Sequence, residues 1–186
     1  STLSKYNQIL NQRNALLKDI YKHKELKETL SIWDDSLTVV GAQILKERFD
    51  YLKMIREPAN RYHSGISCDR EDLEIEYQCS CGADENDNEG VLRDKLAAAL
   101  NKARREDYHT GNTSAGPHRD DLDFKINGIS AKRFGSQGQQ RTAALSLKLS
   151  EIEIVKKITG HVPVLLLDDV LSELDNNRQN YLLSTI

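Results

Sequence analysis

The spacing of apolar positions divides the chain into stretches of different period. From Ser4 to Leu30, Tyr6, Leu10, Arg13, Leu17 and Ile20 alternate steps of four and three, which predicts a long helix with one contact seam. Trp33-Asp34-Asp35-Ser36 reads as a turn and cap. Leu37–Arg56 reads as a second helix with Leu37, Val40, Ile44, Tyr51 and Ile55 on one face. The short connection predicts that the two helices lie antiparallel. Pro58 ends or restarts the pattern, with a short helix to His63.

The period then changes to two. Leu73, Ile75, Tyr77, Cys79 and Cys81 alternate with Glu74, Glu76, Gln78 and Ser80, a half-buried strand within Glu71–Cys81. Gly82–Gly90 is an acidic loop. Glu89–Asp107 returns to helix with Leu92, Leu96, Leu100 and Ala103 in register. After a loop at Thr110–Ser114, Asp121–Ile126 and Ile129–Phe134 flank Asn127-Gly128, the signal of a type I′ hairpin. Gln139–Ile158 reads as a helix with Ala143, Leu147, Ile154 and Ile158 inward, closed by Thr159-Gly160. Val162–Leu167 reads as a strand: four apolar residues in a row, Val164 to Leu167, suit a parallel strand buried on both faces, and Pro163 fits its start, where no ladder donor is needed. Asn176–Ile186 starts a further helix.

Two pieces carry chemistry. Phe134-Gly135-Ser136-Gln137-Gly138-Gln139-Gln140-Arg141 is a glycine-bearing turn entering a helix. A helix N-terminus leaves N–H groups unpaired and carries partial positive charge, which suits a phosphate. Ser136 to Gln139 is equally a capping box that does no more than start the helix. Val164 to Leu167 delivers Asp168 and Asp169 to the carboxyl end of a strand, where ligands of open α/β sheets sit. One carboxylate suits Mg²⁺ and the next suits orientation of a water. The plain alternative is a pair of acids capping the following turn.

Composition fits a folded rather than a disordered chain: 186 residues, 38% hydrophobic and 30% charged. The net charge of −3 does not announce nucleic acid, but charge is uneven. Asp69–Asp94 holds 2 bases against 10 acids, whereas Ser1–Asn60 holds 10 bases and 8 acids. The acidic belt is expected to face away from any DNA. Lys5, Arg13, Lys18, Lys22, Lys24 and Lys27 make the first helix basic, either as a solvated face or as a phosphate contact. His118 and Arg119, in a glycine-proline turn, suit DNA or nucleotide phosphate, or a turn arginine paired with Asp120 or Asp121. Cys79-x-Cys81 with Cys68 and His63 matches no common zinc spacing, and alternating cysteines on one strand face serve as core residues. No apolar run spans a membrane and no signal peptide opens the chain, so a cytoplasmic location is expected.

Three separated motifs bear a resemblance. Ser136 to Gln140 resembles the ABC-type signature motif, Leu165 to Asp169 resembles Walker B, and Ser172 to Asp175 resembles the D-loop. Together with Gly116-Pro117-His118-Arg119-Asp120-Asp121-Leu122, they resemble the RecF family of SMC-like, ABC-type ATPases. The resemblance implies an α/β fold: a helical arm (1–65), a joining strand, acidic loop and helix (66–112), and a partial P-loop ATPase lobe (113–186). It implies ATP and Mg²⁺ as cofactors, with Asp168 on the metal and Asp169 orienting water. Ser136, Gln137, Gly138, Gln139 and Gln140 would contact nucleotide across a dimer, and Ser172 and Asp175 would couple the two sites. Lys5, Arg13, His118 and Arg119 become candidates for DNA or phosphate contact. The implied function is ATP-dependent binding of double-stranded DNA and ss/ds junctions, in recombinational repair, replication restart and the SOS response. RecR and RecO would be partners, RecA loading the output, and the active state a homodimer.

Position 169 is Asp where most ABC-type members have Glu, and the shorter reach implies slow hydrolysis. The chain contains no G-x-x-x-x-G-K-[ST] loop, so it is read as an internal fragment that neither binds ATP tightly nor hydrolyses it alone. The competing class is a non-catalytic DNA- or partner-binding and dimerisation module. A purely structural SMC-like spacer is disfavoured, because heptad spacing does not persist.

Overall fold

In the computed structural model of the protein, residues 1–20, 23–166 and 176–185 are described. Helix α1 spans Thr2–Ile20, a 3₁₀ turn Lys24–Thr29, and α2 Leu30–Ser67. Strand β1 (Leu73–Gln78), α3 (Glu89–Thr110), β2 (Asp121–Ile126) and β3 (Ile129–Ser130) follow. A short α4 (Ala131–Phe134), α5 (Gln137–Thr159) and α6 (Asn176–Thr185) complete the order. These elements form two units, residues 1–50 with 77–121, and residues 51–76 with 122–186.

In the first unit, Tyr6, Ile9, Leu37, Val40, Ile44, Leu100 and Ala115 form the main core cluster. Leu17, Ile20 and Leu30 form a second. Helices α1 and α2 are antiparallel, as expected. Leu17 packs near Leu30, Arg13 bonds Asp34, and Tyr6 approaches Gly41, so position rises along one helix as it falls along the other. A Cβ on Gly41 would lie 2.5 Å from Leu96, so this glycine permits the close approach of α2 and α3.

The boundary between α1 and α2 lies upstream of its expected place. Trp33–Ser36 is helical, and the break falls at the 3₁₀ turn. Asp34 does not cap a helix; it is buried and accepts from Arg13 Nε at 2.7 Å and Arg104 Nη2 at 2.8 Å. Pro58 neither ends nor restarts α2, which runs through it. The proline removes one backbone donor, while Leu52, Ile55 and Ala59 around it are buried.

In the second unit, the sheet order is β1-β2-β3, with β2 and β3 antiparallel and Ile126 opposite Ile129. Asn127 and Gly128 have φ of 50° and 77°, as a type I′ turn requires. In β1, Leu73 and Ile75 are buried while Glu74 and Glu76 are exposed, as the alternation predicts. Ile66, Leu145, Leu149 and Leu182 form this unit's core.

Helix α5 buries Ala143 and Ile154 as expected, but the rest of its buried face is shifted. Leu147 is only half-buried and Ile158 is exposed, whereas Thr142, Leu145, Ser146, Leu149 and Ser150 are buried. The hydroxyls explain the error. Thr142, Ser146 and Ser150 donate to the carbonyls of Gly138, Thr142 and Ser146, so these polar residues enter the core with their bonds made.

The apolar run also differs from its expected form. Residues 162–166 form no strand, and Val162, Val164 and Leu166 are 67%, 86% and 89% exposed, while Leu165 packs on the core. A strand needs a ladder partner, and among the described residues the three-stranded sheet supplies none here. Leu167 lies outside the described residues.

Candidate nucleotide-phosphate site

The turn before α5 is shaped by its own side chains. Gly135 N–H donates to Ala131 O at 3.0 Å, and a Cβ on Gly135 would sit 2.6 Å from that oxygen. Gln140 Nε2 reaches back to Ala131 O at 2.9 Å and Gly135 O at 3.2 Å. Ser136 is the N-cap of α5, accepting from Gln139 N–H at 3.2 Å, while Gln139 Oε1 accepts from Ser136 N–H at 2.9 Å. The capping-box reading of the sequence is therefore correct.

Capping does not consume the anion-binding capacity of this end. In a capped helix, N3 N–H is satisfied by the cap, while the N–H groups of N1 and N2 have no intrahelical acceptor. Here those are Gln137 and Gly138, both exposed together with Ser136. A Cβ on Gly138 would meet only Ser136 Oγ, at 3.9 Å, so none of the described residues fills the space beside it. The 23-residue helix directs its positive end at this opening. The donor set fits a phosphate group.

Behind the cap lies a relay that the sequence did not reveal. Gln139 Nε2 donates to Glu71 Oε1 at 2.9 Å, and Glu71 Oε2 lies 3.2 Å from His63 Nε2. His63 is fully buried, and its Nδ1 has no hydrogen-bond partner among the described residues. Burial pushes the His63 pKa below the usual histidine value, opposed by the Glu71 carboxylate. Glu71 lies far upstream of Gln139 and outside any periodic pattern, so no local signal marked it.

In the first unit, the 116–121 turn binds inward. Gly116 has φ 127°, and a Cβ there would lie 2.6 Å from Tyr6 Oη. His118 Nε2 lies 3.1 Å from Thr113 O, an acceptor only, so Nε2 carries the proton. Its Nδ1 then accepts from Tyr6 O–H at 2.8 Å. Burial lowers the His118 pKa, which favours this neutral form. Both ring nitrogens are thus occupied within the chain. Arg119 does not pair with Asp120; its Nε donates to Thr113 O at 3.0 Å and the residue is exposed. Asp120 instead accepts from Tyr77 O–H at 2.7 Å and Ser80 N–H at 2.7 Å.

Arg13, a candidate phosphate contact in the sequence, is fully buried. Its Nε binds Asp34 and its Nη1 binds Asp107 at 2.8 Å and Thr113 Oγ1 at 2.8 Å. Its seam position brings it into the core, where the guanidinium cannot reach DNA. Lys5 is exposed. Asp168, Asp169, Ser172 and Asp175 lie outside the described residues.

Among the described residues, no helix is long and apolar enough to cross a membrane. No family model matches the chain. It is 48% identical over 184 residues to the DNA replication and repair protein RecF of Lachnoclostridium phytofermentans, covering 99% of this chain and 48% of that protein. RecF of Agathobacter rectalis is 48% identical over 186 residues, covering 100% of this chain and 49% of that protein. Among solved structures, the recombination mediator protein RecF-ATPrS in the RecFOR pathway superposes with TM-score 0.89 at 44% identity, over 98% of this chain and 49% of that one. RecF-ATP in the same pathway gives TM-score 0.89 at 44% identity, over 98% of this chain and 48% of that one. The chain spans about half the length of the curated relatives it matches, and over that span the relatives and the solved structures it resembles are RecF proteins.

Proposed function

We propose that this chain supplies the signature face of a RecF-like, ATP-dependent DNA-binding protein acting in recombinational repair and replication restart at gapped DNA. The observation that carries the proposal is the exposed, self-capped N-terminus of α5, with the Gln137 and Gly138 N–H groups without an acceptor, and open space beside Gly138, among the described residues. Relatives solved with ATP support the nucleotide as the source of the phosphate. In this reading, Ser136, Gln137 and Gly138 meet the γ-phosphate of ATP held by the other subunit of an ATP-driven homodimer. Gln139 and Gln140 hold the turn in shape. Asp168 would hold Mg²⁺, which supplies charge neutralisation to the phosphates. Asp169 would orient the attacking water with a shorter reach than Glu, giving slow turnover, and Ser172 and Asp175 would couple the two sites.

Lys5 and Arg119, both exposed, are the remaining candidates for contact with double-stranded DNA or an ss/ds junction. RecO and RecR are the proposed partners, with RecA loading as the result; the RecFOR context of the similar structures supports this assignment.

Ser136→Gly in the full-length protein tests the proposal. Glycine replaces a capping serine at a cost of only a few tenths of a kcal/mol, so the turn survives while the hydroxyl is lost. The variant is expected to bind ATP, remain monomeric with a slowly hydrolysed analogue, and lose most turnover. Sedimentation showing equal nucleotide-dependent dimerisation of both proteins would reduce Ser136 to a cap and favour a non-catalytic binding module.

A further inference from the structure

The alternation that buries Leu73 and Ile75 continues past the end of β1 into Cys79 and Cys81, which therefore face the same side. Both are half-buried and reduced, with Sγ atoms 3.4 Å apart. Asp120 closes the cluster: its Oδ2 lies 3.8 Å from Cys79 Sγ and its Oδ1 accepts Ser80 N–H. Ser80, between the cysteines, is tied to the 116–120 turn. Its Oγ accepts from Gly116 N–H at 2.9 Å and lies 3.1 Å from Gly116 O. No group of three or more His, Cys, Asp or Glu suited to a metal ion occurs among the described residues. Cys68 is exposed and has no thiol beside it.

We propose that Cys79 and Cys81 form a reactive vicinal dithiol that low-molecular-weight disulfides oxidise to an intramolecular disulfide, and that the 116–120 turn senses the change. Cys79 is the nucleophile. The hydrogen bond between the two thiols draws its pKa down to about 7, against burial and the charge of Asp120. The same hydrogen bond pushes Cys81 up, so the proton stays there. Cys79 thiolate attacks one sulfur of RSSR, an S–S bond forms to Cys79, and RS⁻ leaves. That RS⁻ takes the Cys81 proton. The Cys81 thiolate then attacks the Cys79 sulfur and expels the second RS⁻. Two electrons pass from the dithiol to the reagent, which departs as one thiol and one thiolate. Closure brings the sulfurs from 3.4 Å to a bond of about 2.05 Å. Ser80 is carried with them, and with it the bonds to Gly116 and Asp120.

The test treats the whole chain, as Cys68→Ser to remove the unrelated thiol, with glutathione disulfide and follows intact mass. The expected product has lost two hydrogens and retains no adduct, with faster hydrogen exchange at Ser80 and across 116–120. Adding Cys81→Ser should trap one glutathione on Cys79. Adding Cys79→Ala should slow the reaction about tenfold, because the remaining Cys81 thiol then has no donor at position 79 to stabilise its thiolate. A retained adduct in the Cys68→Ser protein, or equal rates for the two added substitutions, overturns the dithiol. Disulfide formation with unchanged exchange across 116–120 overturns the link to the turn.

Discussion

Arg13→Met distinguishes a structural from a DNA-binding arginine. Methionine keeps an apolar stem in the α1 seam but removes the charge. In the native chain Arg13 is fully buried between Asp34 and Asp107, at 2.7 and 2.8 Å. The two acids lose differently. Asp34 keeps Arg104 at 2.8 Å. Asp107, wholly buried, keeps the Ser114 N–H and O–H on Oδ1 but loses the partner of Oδ2. Breaking a buried pair costs about 3–5 kcal/mol, mostly from the uncompensated charge left behind. The bonds kept by both acids place this loss near about 3 kcal/mol. Urea titration of wild type, Arg13→Met, and Arg13→Met with Asp107→Asn measures it. The second substitution removes the orphaned charge and should recover part of the loss. Exposed Lys5→Ala should stay within about 0.5 kcal/mol of wild type. An Arg13→Met loss below about 1 kcal/mol would refute the buried-pair argument. Weaker DNA binding at unchanged stability would return Arg13 to the interface.

Acid should unfold the chain partly through His63. Its pKa is lowered by burial from 6.5, so the unfolded chain takes the proton first; stability is held above about 6.5 and lost as pH falls through it, and His63→Gln should flatten that slope in melting curves from pH 7 to pH 5. Asp168→Ala in the full-length protein should abolish ATP turnover through loss of magnesium coordination, and turnover at the parental rate would remove Asp168 from that role. Iodoacetamide should label Cys79 at a rate rising with pH around a midpoint of about 7, with Asp120→Asn shifting the midpoint lower because its charge opposes the thiolate; a midpoint near the ordinary thiol value would show that Cys81 does not assist.

Periodicity located most elements because apolar stripes are local. The α1 seam, the β1 alternation and the Asn127-Gly128 turn depend on neighbours two to four positions away, and all three were legible. The misplacements have a common cause in long-range polar pairing. Asp34 looks like a cap in isolation, and only Arg13 and Arg104 show it to be an ion-pair residue. Ser146 and Ser150 look outward-facing until their hydroxyls are seen to bond the preceding turn. The apolar run at 162–166 has strand composition but no ladder partner among the described residues, and composition cannot supply one. The Ser136 to Gln140 turn was legible as chemistry, but its support by Glu71 and His63 was not, because the contact joins distant segments.

That support explains why the third residue of α5 is glutamine. A capping box accepts either Glu or Gln at this place, since only the acceptor oxygen is used toward the cap. Here the other end of the side chain is also engaged: Oε1 takes Ser136 N–H while Nε2 donates to Glu71. A glutamate would satisfy the first bond and set two carboxylates against each other at the second, where like charges repel. Gln140 shows the same economy, its amide donating to two carbonyls of the preceding turn that a carboxylate could not serve. Two of the five residues expected to meet nucleotide are therefore bound inward and fix the shape of the turn. The groups left to face a phosphate are the Ser136 hydroxyl and the Gln137 and Gly138 N–H. An anion bound there would be held mainly by backbone, and its position would depend on Glu71 keeping Gln139 in place.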